Sequence, residues 1–425
     1  MESGYAEQLP RQGNLGRLVR HPVVVWVAFL LAHLWVGWLA LTGPGMPLGD
    51  LDVYAFWVRY GLAEGVWVGI DTLWVYPIGA IIPMLMASIA GLDAFRNAWV
   101  SLVLVGDMIA FVMVLGIRAR PAHVGWWWSG FLVLLGPIAV GRIDAFAVAA
   151  AVCGMAMLGA RPTVAGALLA VATWIKVWPA ALIAAALVSL RRRVEVLVGA
   201  VVLSVAVLVS MMSLGAASTV FSFLGTQQTR GLQIEAVLAT PLMWMAAVGS
   251  PAAGSVYYDT EILTFQLSGP SAALVAAIAT PALVILAAAL LVLGLVATRR
   301  GVEPARLLPP LTLALTVALI VGNKVGSPQF ASWLAVPVLY GLVTARKGGV
   351  DFRVPAALAL AIALLTQLVY PTLYAQLVQL SPVVLGLLTT RNLLYLVLLG
   401  WATAQLLRVT PDATARLRRD AELGV

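Results

Sequence analysis

From His21 to Leu407 the chain is a succession of apolar runs of roughly membrane-crossing length, and almost every run stops at an arginine or lysine on one side. A helix of about 20 apolar residues spans the hydrocarbon core of a bilayer with its backbone groups satisfied internally. A chain built mostly of such runs can fold only as a helical bundle in lipid. Composition agrees: 62% of the 425 residues are hydrophobic and 10% are charged, a balance that no ordinary soluble domain has. The fold class is therefore all-α, a polytopic membrane protein forming one integral-membrane domain over 1–425.

The stretch 1–20 is polar and basic and lacks a cleavage site, so it reads as a cytoplasmic tail, with 408–425 as the other tail. One crossing each is predicted for His21–Thr42, Asn97–Ile117, Val124–Val140, Ala145–Ala160, Val194–Met212, Ser271–Ala297, Leu307–Gly322, Phe330–Thr344, Val354–Leu373 and Leu393–Leu407. Pro162–Leu190 is too long for one ordinary span. Its Ile175-Lys176-Val177-Trp178-Pro179 break predicts two short helices with Lys176 at the tip, because proline removes a helix hydrogen bond and restricts its predecessor. The total is about twelve transmembrane helices. Tyr76–Gly91, interrupted by Pro77 and Pro83, reads as an outer re-entrant or juxtamembrane helix pair. The first outer loop is then 43–96, and 213–270 forms an outer loop or lid. This arrangement leaves roughly nineteen of the 26 Lys and Arg inside, which orients the protein in the plasma membrane with both termini cytoplasmic.

About seven basic residues lie against that bias and need another reason for their place: Arg59, Arg96, Arg142, Lys176, Arg230, Lys324 and Arg391. Arg142, Lys176 and Lys324 occupy tight outer turns, where charge is costly unless paired. Each can snorkel to lipid phosphate or pair locally, as Arg142 with Asp144. Together with Asp50 and Asp52 they can also form a cationic recess suited to an anionic lipid headgroup. The acidic residues belong to Gly49–Pro77, rich in Trp and Tyr. Val53, Phe56, Trp57 and Tyr60 fall at i, i+3, i+4 and i+7, predicting a short interfacial helix with its aromatic side among the headgroups. Asp50, just before it, reads either as a helix N-cap or as a reactive carboxylate.

Other chemistries find little support. Cys153 is the single cysteine, His21, His33 and His123 are scattered, and neither a metal site nor a cofactor is expected. The net charge of +8 sits at the ends of apolar runs, which argues for membrane lipids and against nucleic acid.

The order DLDVY (Asp50 to Tyr54), VYP with a proline-broken apolar helix (Val75 to Pro83), GRID (Gly141 to Asp144), KVWP (Lys176 to Pro179) and SPQF (Ser327 to Phe330) resembles the polyprenyl-phosphate-sugar-dependent glycosyltransferases of the GT-C superfamily. It is most similar to glycosyltransferase family 87, which includes actinobacterial mannosyl- and arabinosyltransferases. The resemblance implies transfer of a sugar, mannose as first choice, from a polyprenyl phosphate to a glycolipid or glycan acceptor on the outer face, with inversion. It also implies that an Asp of the first outer loop is the general base. In the family pattern the acidic residue lies four before the tyrosine, which is Asp50 here; Asp52 and Asp144 are candidates for a second acid. Tyr54, Tyr76 and Gln329 are the residues of these motifs expected around donor and acceptor. Departures are the single Pro77 where relatives often show two prolines, Arg142 where Gln is common and Phe330 where Tyr is common.

Such a transfer needs one base for the acceptor hydroxyl and cations for the departing phosphate. Asp50 supplies the first in this reading, and Arg142, Lys176 and Lys324 the second, so no obligatory metal is expected unless Asp50 and Asp144 converge. The rival reading is a secondary transporter or flippase of a lipid-linked or anionic substrate, which uses broken helices and charge near the midplane. Asp107, near the middle of its run, would then couple transport; in a transferase it is a satisfied polar residue between helices.

Overall fold

The computed structural model describes residues 14–228 and 230–408, so the expected tails lie largely outside the described residues. Among the described residues, seven helices are long and apolar enough to cross a membrane: Pro22–Thr42, Leu92–Leu115, Arg193–Ser213, Pro270–Arg299, Pro304–Val321, Arg353–Thr372 and Pro382–Arg408. Arg193–Ser213 and Pro270–Arg299 bury only 22% and 11% of their most apolar windows. So much exposed apolar surface on a folded chain calls for a lipid surround, and the protein is a multi-pass membrane protein.

The other expected crossings are shorter. They form Ala122–Leu135, Asp144–Met157, Pro162–Ile175, Ala180–Ser189 and Ala335–Ala345, the first followed by a 3₁₀ turn at Gly136–Ala139 and the last preceded by one at Pro328–Leu334. A 14-residue helix covers about 21 Å at 1.5 Å per residue, short of the hydrocarbon thickness of about 30 Å. Asp144–Met157 lies in the interior, buried along most of its length. The break between Pro162–Ile175 and Ala180–Ser189 falls at the expected Lys176–Pro179. Pro162–Ile175 also crosses Arg193–Ser213 so closely that a Cβ on Gly166 would collide with the Val196 carbonyl, and one on Gly199 with the Thr163 carbonyl.

Three local expectations are corrected. Tyr76–Gly91 forms one short helical stretch, a 3₁₀ turn at Ile78–Ala80 running into Ile81–Ser88, rather than a pair. Pro83 sits in its first turn, where amide hydrogens lack an intrahelical acceptor anyway. The last helix begins at Pro382, not Leu393. Arg391 and Asn392, which interrupt the apolar run, are buried and paired: Arg391 Nη1 donates to Glu235 Oε2 at 2.6 Å and Asn392 Nδ2 to Thr240 Oγ1 at 2.8 Å. Arg391 therefore lies within the last helix, not in the connection before it. Finally, Asp50 lies inside its helix rather than before it, as described below.

The 213–270 region carries the only strands among the described residues. β1 (Leu232–Gln233), β2 (Val256–Asp259) and β3 (Thr264–Leu267) form an antiparallel sheet in the order β1-β3-β2, with Leu232 opposite Leu267 and Tyr257 opposite Gln266. Leu232, Ile234, Met243 and Leu267 pack a small core with Val384 and Leu388 of the last helix. The Arg391–Glu235 pair ties the same two units together.

Candidate active site

The short helix expected around Val53 to Tyr60 forms over Gly49–Glu64. Its buried stripe is Leu51, Tyr54, Val58 and Gly61, while Phe56 and Tyr60 stack on the exposed side. Leu48 is its N-cap residue and no side chain caps it, so Asp50 is not the cap. It stands in the first turn, where a carboxylate also suits the positive end of the helix dipole.

Two positions along a helix differ by about 200° in direction, and Asp50 and Asp52 diverge accordingly. Asp52 takes a bidentate bond from Arg96 at 2.6 and 2.7 Å, with both side chains about half exposed (47% and 51%). Asp50 Oδ2 instead meets Arg142 Nε at 3.2 Å. The Asp50 side chain is 40% exposed, whereas that of Arg142 is 6% exposed. Oδ1 of Asp50 has no hydrogen bond among the described residues.

Arg142 is held from three sides. Nη1 donates to the carbonyls of Pro47 and Gly141, both at 3.0 Å, and Nη2 donates to Tyr370 Oη at 2.9 Å. Tyr370 reaches it because the chain leaves helical geometry there, at φ −134° and ψ 127°. Burial opposes the Arg142 charge, but Asp50, Tyr370 and Tyr54 outweigh it and hold the guanidinium above its ordinary value. Arg142 does not pair with Asp144, correcting that expectation.

Asp144 belongs to Lys176. The carboxylate is fully buried, with Trp333 Nε1 donating to Oδ1 at 2.7 Å and Lys176 Nζ 3.4 Å from Oδ2. Trp333 stacks on Trp178 at 5.1 Å, locking the two turns together. Lys176 also lies over the Tyr76 ring, 4.5 Å from its centroid, a cation–π contact. The approach depends on Gly79, where a Cβ would lie 2.6 Å from the Trp174 carbonyl oxygen. Tyr76 Oη in turn lies 3.5 Å from Tyr54 Oη. Burial first, then Tyr76 and Asp50, pushes the Tyr54 phenol well above its ordinary value.

One connected cluster therefore contains Asp50, Arg142, Tyr54, Tyr76, Lys176 and Asp144. Asp52 stands apart with Arg96. Lys324 and Gln329 come from the turn that leads into Trp333; the Lys324 carbonyl accepts from Gln233 N at 3.0 Å, and burial lowers the Lys324 ammonium below its ordinary value. Asp50 and Asp144 each meet a different cation. Among the described residues, no group of three or more His, Cys, Asp or Glu could hold a metal ion.

Three participants were not among the expected site residues. Tyr370 and Trp333 gave no signal, because an aromatic residue beside an apolar run is ordinary. Arg230 did, as a basic residue against the orientation bias. Its Nε is buried without a hydrogen-bond partner among the described residues, and Tyr76 and Asp259 oppose the burial that lowers its pKa.

Residues 74–258 match the model of Glycosyltransferase family 87. This shows the likeness read from the motifs and marks the chain as a glycosyltransferase, with a sugar donor and an acceptor as its substrates. The matched stretch contains Tyr76, Arg142, Asp144, Lys176 and Arg230; Asp50, Tyr54, Lys324 and Gln329 lie outside it. No curated protein and no solved structure matches the chain.

Proposed function

We propose that this glycosyltransferase moves a sugar, mannose as first choice, from a polyprenyl-phosphate donor to a glycolipid or glycan acceptor at the outer face of the plasma membrane, with inversion. The observation that carries the reading is the Asp50–Arg142 pair: a half-exposed carboxylate whose one oxygen is fixed by a buried guanidinium. Asp50 Oδ1 takes the proton of the acceptor hydroxyl as the acceptor oxygen attacks the anomeric carbon. The bond from that carbon to the phosphate oxygen breaks, and the phosphate leaves with the electron pair. Lys176 and Lys324 hold the departing phosphate, and the charge of Arg142 adds to the field around it. Three side-chain cations supply this stabilisation, so no obligatory metal takes part. Support for the outer face is the distribution of basic residues along the chain.

The test gives membranes containing the protein a panel of radiolabelled polyprenyl-phosphate sugars, with and without chelator, and analyses the lipid and glycan products. Transfer from the mannosyl donor, undiminished by chelator, is expected. Asp50→Asn should lower turnover by about 10²- to 10⁴-fold while donor binding persists. Asp52→Asn should retain turnover, since it loses only a half-exposed pair worth about 0 to 1 kcal/mol. Near-normal turnover in Asp50→Asn would remove the base from the mechanism.

A further inference from the structure

A second charged cavity lies at the end of the bundle remote from Asp50. Pro22–Thr42 leads toward Asp50 at one end, Leu92–Leu115 starts beside the Asp52–Arg96 pair, and Ala122–Leu135 leads to Arg142. Their opposite ends, about 30 Å away for a 21-residue helix, gather around a cavity of about 1030 Å³. Among the described residues it is lined by Arg20, Arg120, His123, Arg346 and Arg353, against one carboxylate, Asp351. These residues come from three separate connections: the entry to the first long helix, the turn before Ala122–Leu135, and the link between Ala335–Ala345 and Arg353–Gln367. Trp126 Nε1 donates to the Val19 carbonyl at 2.9 Å and Trp26 Nε1 to the Ile117 carbonyl at 2.9 Å, which fixes the first two connections against each other. Trp126, Leu342 and Phe352 give the cavity an apolar wall. Arg353, 90% exposed, stands at the rim, 3.9 Å from Asp351.

Membrane orientation asks only that basic residues accumulate on one side. It does not ask that Arg120, Arg346 and Arg353, from two connections, line one cavity in which, among the described residues, Asp351 is the one carboxylate. Like charges brought together repel unless an anion joins them, and the planar guanidinium fork matches phosphate oxygens two at a time. Basic pockets beside membrane helices with apolar walls suit phospholipid headgroups. We propose that this cavity is a binding site for a phosphoryl group, carried on an anionic lipid headgroup or free, separate from the site of sugar transfer. It does not depend on the reading of Asp50.

The test uses the full chain purified in detergent and native mass spectrometry, with added phosphatidylglycerol or phosphatidylcholine and, separately, inorganic phosphate as competitor. Retention of phosphatidylglycerol over phosphatidylcholine is expected, weakened by about tenfold or more in Arg120→Gln with Arg346→Gln. Asp351→Asn removes the opposing charge among the described lining residues yet keeps a side-chain oxygen for Arg353 N, which it now bonds at 3.0 Å. That variant should bind about two- to fivefold more tightly, and it decides the matter if the double variant does not fold. Displacement of the lipid by inorganic phosphate would assign the site to free phosphate as well, and resistance to displacement would assign it to the lipid. Binding of neither ligand, or binding indifferent to both sets of substitutions, would overturn the proposal.

Discussion

Lys176 has two roles in this account, and they can be separated by experiment. It neutralises Asp144, a carboxylate with no exposed surface, from 3.4 Å, and it is proposed to hold the donor phosphate. Lys176→Met keeps the apolar stem and removes the charge, leaving Asp144 buried with only the Trp333 indole bond. Removing one partner of a buried pair costs about 3 to 5 kcal/mol. Lys176 is 17% exposed and the indole bond persists, so about 2 to 4 kcal/mol of lost stability is expected. Adding Asp144→Asn neutralises the orphan while keeping an oxygen for Trp333, and should restore stability to within about 1 kcal/mol. Donor affinity should behave differently. One lost charge-assisted hydrogen bond is worth about 1.5 to 3 kcal/mol, or roughly ten- to a hundredfold in Kd, and the second substitution should not recover it. Thermal melting in nanodiscs reads the first quantity and binding of a polyprenyl-phosphate sugar the second. Recovery of both together would mean that Lys176 acts only through the fold, and an unaltered melting curve in Lys176→Met would refute the pairing.

Two further outcomes follow from burial and from helix direction. Burial lowers the Lys324 ammonium, so it loses its proton below the ordinary lysine range near about pH 10.4. Such a group binds more protons unfolded than folded, so rising pH through this window raises fold stability while it weakens phosphate binding. Donor titrations across alkaline pH should show affinity falling early in the native protein and later in Lys324→Arg, whose charge persists; coincident curves would remove Lys324 from the phosphate. Orientation is read with cysteines at opposite ends of the bundle, Glu64→Cys at the end of the Gly49–Glu64 helix and Arg161→Cys between Asp144–Met157 and Pro162–Ile175. An impermeant thiol reagent applied to intact cells should label the first and spare the second; the reverse pattern would place the site on the inner face.

What was legible in the sequence was whatever rests on long apolar runs and on proline. The Lys176 tip emerged at the right residues because Pro179 cannot continue a helix and basic residues bound the run on both sides. The start of the last helix was missed for the opposite reason. Thr389, Thr390, Arg391 and Asn392 look like a polar break, but Glu235 lies 156 positions earlier in sequence, and no local pattern reveals that partner. The same blindness applied to the site. Five motifs marked the turns, yet which carboxylate meets which cation depends on long-range packing. Thus Arg142 was matched with its neighbour Asp144, although Pro47, Asp50 and Tyr370 are what surround it.

That exchange of partners bears on the chemistry. A guanidinium with its Nε on Asp50, both Nη1 hydrogens on carbonyls and one Nη2 hydrogen on Tyr370 has little left to give a substrate. In the proposed mechanism Arg142 is therefore chiefly the group that orients Asp50, and contact with the phosphate falls to the two lysines. A midplane carboxylate is placed quite differently. Asp107 takes His33 Nε2 at 3.0 Å, and their side chains are 6% and 3% exposed. His33 Nδ1 lies 2.9 Å from the Phe29 carbonyl, completing the imidazole's bonding within the bundle. A coupling carboxylate has to exchange its proton or ion with water, and this one is enclosed between helices. The half-exposed carboxylate lies at the end of the bundle, backed by a buried cation, where an acceptor hydroxyl can reach it.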